Sequence, residues 1–598
     1  MNTLERKFLE KKRGLERAWE DGGLIGLGRL ARKKGAQMLC IGDIREMRRS
    51  RAQNDAAYDT WIREELPSDE ERKKQKARLF SHRISYLIPT YNTRPDLLKA
   101  LSESILAQTN DAWEVCFYDG ASTNQETLQM LREIDARDTR FHVCFGKENA
   151  GISGNTNKAL FMAETDYIAL CDHDDLLTPD CTYYLLDAAE HGADFIYSDE
   201  DKVTEDGSRF FDPHLKADFS PDALRSGNYI CHIMAMRTSL VKELGGLRSA
   251  YDGSQDHDLA LRATECAQAI AHIPRVLYHW RMLNSSFSHA SQEKCVHAAA
   301  HAIDDQMTRL GLDGHCEMVD MAPYITYDLP ENCHVTWIIH GIVGGADLKW
   351  LKRLLRFSRD AHKYTQEIII VSRNPLELEA VEGIPITTAR DVHAAAAMAS
   401  ASLLLFIEQG MRPLQSVWFE RLMMFASRPW IACAGGGAVD KKQRYLTCGY
   451  ALLSSGPSPR FYGQNRFGIT YQLYDRSVRE VSAVSMSLLM VSRETYGKLG
   501  GFAPYASDVG AVALGVRANR MGLSNVVVPE AIARAPEESL LHHPMTKKDR
   551  ESFRQEAMTE HYYATAFHRE QADFCIDTSR HESAPTVIVR YASQEAGI

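Results

Sequence analysis

At 598 residues the chain is too long for a single hydrophobic core, so three or four domains are expected. Its 44% apolar and 25% charged content is ordinary for a soluble globular protein, and a net charge of -10 gives no global reason to bind nucleic acid. The 13 cysteines include no C-x-x-C pair, which rules out zinc-ribbon and thioredoxin spacings and fits free thiols in a reducing cytosol.

The charge is uneven along the chain. Residues 1–83 hold 21 Lys+Arg against 14 Asp+Glu, an excess of +7, so the remainder carries -17. This stretch reads as helices broken by glycines and lacks the apolar centre of a signal peptide. Ser68 followed by Asp-Glu-Glu is a helix-start signature. The basic residues Arg29, Arg32, Lys33, Lys34, Arg45, Arg48, Arg49 and Arg51 have two readings: a solvated helix surface, or a face for peripheral contact with anionic headgroups of the inner membrane. The most apolar segment, 394–407, is about 14 residues, short of the roughly 20 that a bilayer span requires. A cytoplasmic protein, at most peripheral to the membrane, is expected.

From residue 84 the texture changes. Apolar strands are read at 84–88, 113–118 and 141–145, with helices at about 95–108 and 125–136. A further helix precedes the apolar run 167–171. This alternation predicts a parallel sheet with helices on both faces. Each strand ends in polar residues: Thr90 and Tyr91, then Asp119, then Asn149, then Asp172, His173, Asp174 and Asp175. Parallel strands place those ends along one edge, where they converge on a crevice. Three carboxylates within four residues cannot all be buried as charges without partners. A divalent cation such as Mg²⁺ or Mn²⁺ resolves this, and a solvated acidic loop is the alternative.

The ordered set IPTYN (88–92), YDGAS (118–122), ENAGISGNTN (148–157) and DHDD (172–175) resembles the donor half of inverting family 2 glycosyltransferases with the A-type fold. FIYSDEDK (195–202), VKELGGL (241–247), GSQDHDL (253–259) and PRVLYHWRMLNSS (274–286) extend the resemblance over about 84–288. It is nearest to bacterial enzymes of surface polysaccharide assembly, including O-antigen rhamnosyltransferase-like members.

The resemblance implies roles for particular residues. Asp174 would hold a metal, with Asp172 on the metal or the ribose and His279 completing the shell. Asp119 would accept from the imide of a uracil or thymine, in a pocket lined by Pro89, Thr90 and Tyr91. Asn149 and Asn155 would hold ribose or phosphate, with turn and helix-cap duty as the alternative. Arg281 would pair with the diphosphate. Asp256 would be the general base, with Asp258 as competitor. Asp199 and Glu200, read at a strand end, would reach sugar or acceptor, together with Gln255 and Trp280.

The chain then restarts with strands at 335–340, 367–371 and 403–407. A shift of 255 residues overlays the end of the first unit on the second without a gap. Gly245-Gly246 falls on Gly500-Gly501 and Pro274 on Pro529. The chemistry does not overlay: Asp256 falls on Ala511, Asp258 on Ala513 and His279 on Arg534, and Glu408 is the sole carboxylate where DHDD stood. The expected fold class is therefore α/β, two tandem transferase-like (GT-A, Rossmann-like) domains. The expected divisions are a helical region (1–82), a catalytic domain (83–330), a degenerate copy (331–545) and a helical tail (546–598) with a strand-like stretch near 586–591.

The expected function is metal-assisted direct displacement of a sugar from a nucleotide-sugar, UDP- or dTDP-linked by preference, onto a glycan or lipid-linked glycan. The alternatives are a two-site transferase or polymerase and a non-catalytic glycan-binding scaffold.

Overall fold

The computed structural model describes residues 55–283, 292–319, 322–342, 345–373, 380–468, 470–503 and 508–542, with scattered positions beyond 552. The basic stretch before residue 55 and most of the expected helical tail lie outside the described residues. The helix start at Ser68 is as expected. Ser68 caps Asp69–Ala77, its amide donating to Glu71 at 2.8 Å while the Glu71 amide returns a bond to its hydroxyl.

The first sheet contains β1 (Ile84–Thr90), β2 (Trp113–Asp119), β3 (Phe141–Phe145), β4 (Tyr167–Leu170), β5 (Leu176–Leu177), β6 (Phe195–Val203), β7 (Phe210–His214), β8 (Met234–Arg237) and β9 (Ala269–Arg281). Its spatial order is β3-β2-β1-β4-β8-β6-β9, with Val587–Arg590 added at the edge beside β9. β1 to β4 are parallel, as expected, and β1 is buried along its whole length. The sheet is nevertheless mixed, a correction to the all-parallel reading. β8 runs antiparallel between β4 and β6.

A second sheet repeats this plan. Its strands in spatial order are Ile386–Ala389, Thr365–Val371, Val335–His340, Leu403–Glu408, Leu488–Ser492, Ile431–Gly435, Ser524–Val527 and Arg479–Val481. The directions match strand for strand, including the antiparallel insertion of Leu488–Ser492. The 255-residue shift is visible in the helices too. Thr238–Glu243 maps onto Arg493–Lys498, and the paired glycines after each helix all adopt positive φ, +78° and +74° against +75° and +70°. Two tandem α/β domains of one topology make up the described chain.

The domains are bonded to each other by buried polar groups. Glu480 of the second accepts the amides of Asp222 at 2.7 Å and Ala223 at 3.0 Å, closing the start of the helix Pro221–Ser226. Asp222 also accepts from the Trp430 indole at 3.1 Å. The Tyr471 hydroxyl accepts from the Leu215 amide at 2.7 Å, and His214 Nε2 lies 3.0 Å from the Tyr474 hydroxyl.

Within β9, His272 is buried between Asp199 at 2.9 Å and Asp218 at 3.0 Å, and its ring stacks on Tyr197. Burial opposes its charge, but the two carboxylates outweigh burial and push the imidazole up to about 9. A folded pKa raised above the unfolded one gives stability that is complete below about 6.5 and lost as pH rises through about 9. The shift corresponds to roughly 3 kcal/mol as an upper bound. Between pH 6.5 and 9 the unfolding midpoint of the wild type is expected to fall more steeply than that of His272→Gln. Equal slopes in a thermal melt series would contradict this.

Candidate functional site

The parallel register sets Thr90 opposite Asp119 and Pro89 opposite Tyr118 at the carboxyl ends of β1 and β2. The Thr90 hydroxyl donates to Asp119 Oδ1 at 3.3 Å. Asp119 is buried and also accepts from the Ser122 amide at 2.8 Å and hydroxyl at 2.5 Å. Tyr91 stands exposed at the rim. In the next loop Asn149 Oδ1 accepts from the Gly151 amide at 3.0 Å and from Asn155 Nδ2 at 2.9 Å, while Asn155 Oδ1 accepts from the Ala150 amide at 3.2 Å. Both asparagine side chains are therefore engaged with each other and with the backbone at residues 150 and 151. A Cβ on Gly120 would lie 2.4 Å from Asn155 Nδ2, so a larger residue there would displace the Asn155 side chain.

β4 delivers Asp172 to Asp175 onto the same edge. Asp172, Asp175 and His232 each aim one donor atom so that all lie within 4.8 Å of one another. Asp172 is half-exposed, with Oδ2 3.6 Å from His232 Nε2. Its amide donates to the Tyr278 hydroxyl at 3.1 Å, and that hydroxyl donates to buried Asp175 at 2.6 Å. Burial would raise the Asp172 carboxyl, but His232 outweighs it and holds the group below its ordinary value. Burial, with the charge of Asp172 added, holds Asp174 and Asp175 above theirs. Burial opposes a charge on His232, yet Cys231, Asp172 and Glu200 around it keep its ring well above the usual imidazole range. Carboxylates crowded and raised in this way are the donor set a hard divalent cation would relieve, and so the residues fit one.

His232 is the residue that sequence reasoning missed. It precedes β8, and because β8 is antiparallel to β4, Leu170 pairs with Met234 and residue 232 falls beside residue 172. Its signal was a polar Cys-His pair before an apolar run, legible only once the strand direction is known. Its ring stacks on Tyr278 at 4.8 Å and 7°.

His279 does not join this group through Nδ1, which is bonded to Asp201 at 2.6 Å in a buried pocket that the Tyr58 hydroxyl closes at 2.7 Å. The cause is register: His279 of β9 lies directly across from Asp201 of β6. Arg281 is buried, with Nε on the Asp174 carbonyl at 2.6 Å and Nη1 on the Glu205 carbonyl at 2.8 Å, so it pins two loops together. Asp199 and Glu200 are not at a strand end but inside β6, whose alternation and bulge turn them apart. Asp199 faces His272 and the Lys216 amide. Glu200 faces the site, accepting from the His232 amide at 2.9 Å. Burial would raise its carboxyl, but Lys216, His214 and His232 hold it well below the usual range.

The helix Gln255–Cys266 starts at the crevice. Its two aspartates differ sharply. Asp258 is fully buried and gripped by Arg248 and by Arg262, the latter at 2.7 Å. Asp256 is partly exposed in the first turn and accepts from Asn228 Nδ2 at 2.8 Å. Asn228 Oδ1 in turn accepts from the Cys231 amide at 3.1 Å, so hydrogen bonds link Asp256 to the backbone beside His232, whose ring lies 3.6 Å from Asp172. Gln255 turns back, accepting from the Gly253 amide at 2.8 Å. Trp280, half-buried on β9, lies 5.8 Å from the His232 ring.

This arrangement coincides with a family match. Residues 85–245 match the model described as Glycosyl transferase family 2. The chain contains a family 2 glycosyltransferase domain. The transferase domain and the second sheet together run through similar proteins. An uncharacterized protein, y4gI, of Sinorhizobium fredii is 29% identical over 79% of this chain and 55% of its own length. The O-antigen biosynthesis protein RfbC of Myxococcus xanthus is 26% identical over 82% of this chain and 40% of its own. The chain thus spans about half or less of these relatives. Among solved structures, S. aureus TarS 1-349 in complex with UDP-GlcNAc is similar at 20% identity and a TM-score of 0.32, covering 38% of this chain and 66% of that one.

At the corresponding edge of the second sheet the acids are consumed by the fold. Glu408 is buried and accepts from the hydroxyls of Ser487 at 2.8 Å and Ser539 at 2.6 Å and from the Leu540 amide at 3.2 Å. Asp508 is buried, accepts from the Tyr450 hydroxyl and the Met486 amide, and is pushed up to about 6 by burial. Among the described residues, both groups of three or more potential metal-ligating side chains belong to the transferase domain. Also among the described residues, no helix is long and apolar enough to cross a membrane.

Proposed function

We propose that the chain is an inverting glycosyltransferase of cell-surface polysaccharide assembly, moving a sugar from a nucleotide-sugar onto a glycan or lipid-linked glycan. The observation that carries this reading is the chain Asp256–Asn228–Cys231–His232–Asp172, which ties a partly exposed helix-start carboxylate to the acid cluster. Relatives named for O-antigen biosynthesis and for chondroitin synthesis support the polysaccharide setting.

In the reaction, an acceptor hydroxyl attacks the anomeric carbon from the face opposite the diphosphate. Asp256 takes the hydroxyl proton as the new C–O bond forms and the bond to the phosphate oxygen breaks. One displacement inverts the anomeric centre. Asp256 stands in the first turn of the helix Gln255–Cys266, at the crevice. Thr90 and Asp119 sit where the resemblance seats a uracil or thymine, with Tyr91 at the rim. Asp172, Asp174 and Asp175, with His232 beside them, would hold Mg²⁺ or Mn²⁺, which when bound neutralises the leaving diphosphate as a Lewis acid. The second domain transfers no sugar in this reading, because its equivalent acids are spent on internal bonds. The test is acceptor-dependent release of nucleoside diphosphate across a panel of nucleotide-sugars with Mn²⁺, comparing wild type with Asp256→Asn.

A further inference from the structure

A cavity of about 360 Å³ opens between the two domains. Glu200, Asn228 and Trp280 line it from the transferase domain, and Gln472, Tyr474 and Arg479 from the second. We propose that this cavity seats a sugar ring of the acceptor glycan, so that the second domain acts as the acceptor-holding half of the single active site. The proposal rests on the transferase reading and adds to it a role for a domain that carries no chemistry of its own.

Three observations carry it. The first is location. Asn228 lines the cavity and donates to Asp256 at 2.8 Å, so the cavity lies one hydrogen-bonded side chain away from the proposed base. The second is chemistry. A sugar offers apolar C–H faces and a ring of hydroxyls. It is held by aromatic faces combined with planar groups that make paired hydrogen bonds. The cavity supplies the half-buried Trp280 for the first, and a carboxylate, two amides and a guanidinium for the second. A larger cleft, of about 780 Å³ between Leu97 and Arg209, has no aromatic side chain in its lining and does not meet this requirement. The third is rigidity. The Arg479 guanidinium stacks 3.8 Å over the Tyr474 ring, whose hydroxyl is 3.0 Å from His214 of the first domain, so the far wall is fixed before any ligand arrives. Walls held in advance spare the ordering cost that weakens a flexible site. The volume lies at the lower end of the roughly 300–1,000 Å³ of small-ligand pockets.

The experiment uses the full chain on an array printed with bacterial surface oligosaccharides. In parallel, thermal shift is measured with UDP, dTDP or GDP plus Mn²⁺. The wild type is expected to bind a defined set of glycans, and Arg479→Ala to lose at least about tenfold of that signal while keeping the nucleotide shift. Gln472→Ala, in the short 3-10 turn Tyr471–Leu473 rather than on a strand, is the second variant should Arg479→Ala fail to fold. A folded variant with the wild-type glycan signal, or a wild type that holds no glycan, overturns the proposal. A wild type that shifts with none of the nucleotides overturns the donor-site reading instead, and the two failures are read on separate assays.

Discussion

Asp256→Asn is expected to lower acceptor-dependent release of nucleoside diphosphate by about a thousandfold, within the 10²–10⁴ range that positioned acid–base groups supply. Donor affinity should stay within about threefold, since Asp256 is tied to the acid cluster only through Asn228. The substitution is nearly isosteric, and the new side-chain oxygen can still accept from Asn228. The helix should therefore start unchanged, and the loss should fall on kcat rather than on donor KM. Asp258→Asn is expected to behave differently. That carboxylate is buried between Arg248 and Arg262, so its loss leaves two guanidinium groups short of a partner and lowers the melting temperature. A Michaelis–Menten series for both variants separates the roles. Wild-type kcat in Asp256→Asn would remove that residue from the chemistry.

Asp172→Asn is expected to abolish the Mn²⁺-dependent part of the thermal shift given by nucleoside diphosphate and to lower kcat/KM by at least about a hundredfold. The carboxylate is half-exposed and paired with His232 at 3.6 Å, while the Asp172 amide bond to Tyr278 is untouched by the substitution, so folding should survive. The same variant leaves His232 with Glu200 as its neighbouring carboxylate. A shift with Mn²⁺ equal to that of the wild type would show that the cation is held elsewhere.

Much of this site is legible in the residues themselves. Apolar runs that stop abruptly in Thr90, Asp119 and Asp172 mark strand ends, because a buried strand cannot continue into charge without partners. The repeat is legible because the two copies share a helix and its paired glycines at a constant offset. What depends on strand direction and register is not legible. The antiparallel β8 brings His232 to Asp172, and no local pattern states which way a short apolar run is inserted. The parallel pairing of β6 with β9 gives His279 to Asp201. The bulge in β6 decides that Glu200 faces the crevice and Asp199 the core, where composition alone makes them equivalent. Arg281 reads as a phosphate ligand from its motif, yet its reach to two carbonyls is set by loops distant in sequence.

In this reading two domains of one topology share a single chemical site. Isothermal titration of the full chain with nucleoside diphosphate and Mn²⁺ tests it most directly. One nucleotide per chain is expected, lost in Asp172→Asn. Two nucleotides per chain, or one that persists in Asp172→Asn, would contradict it.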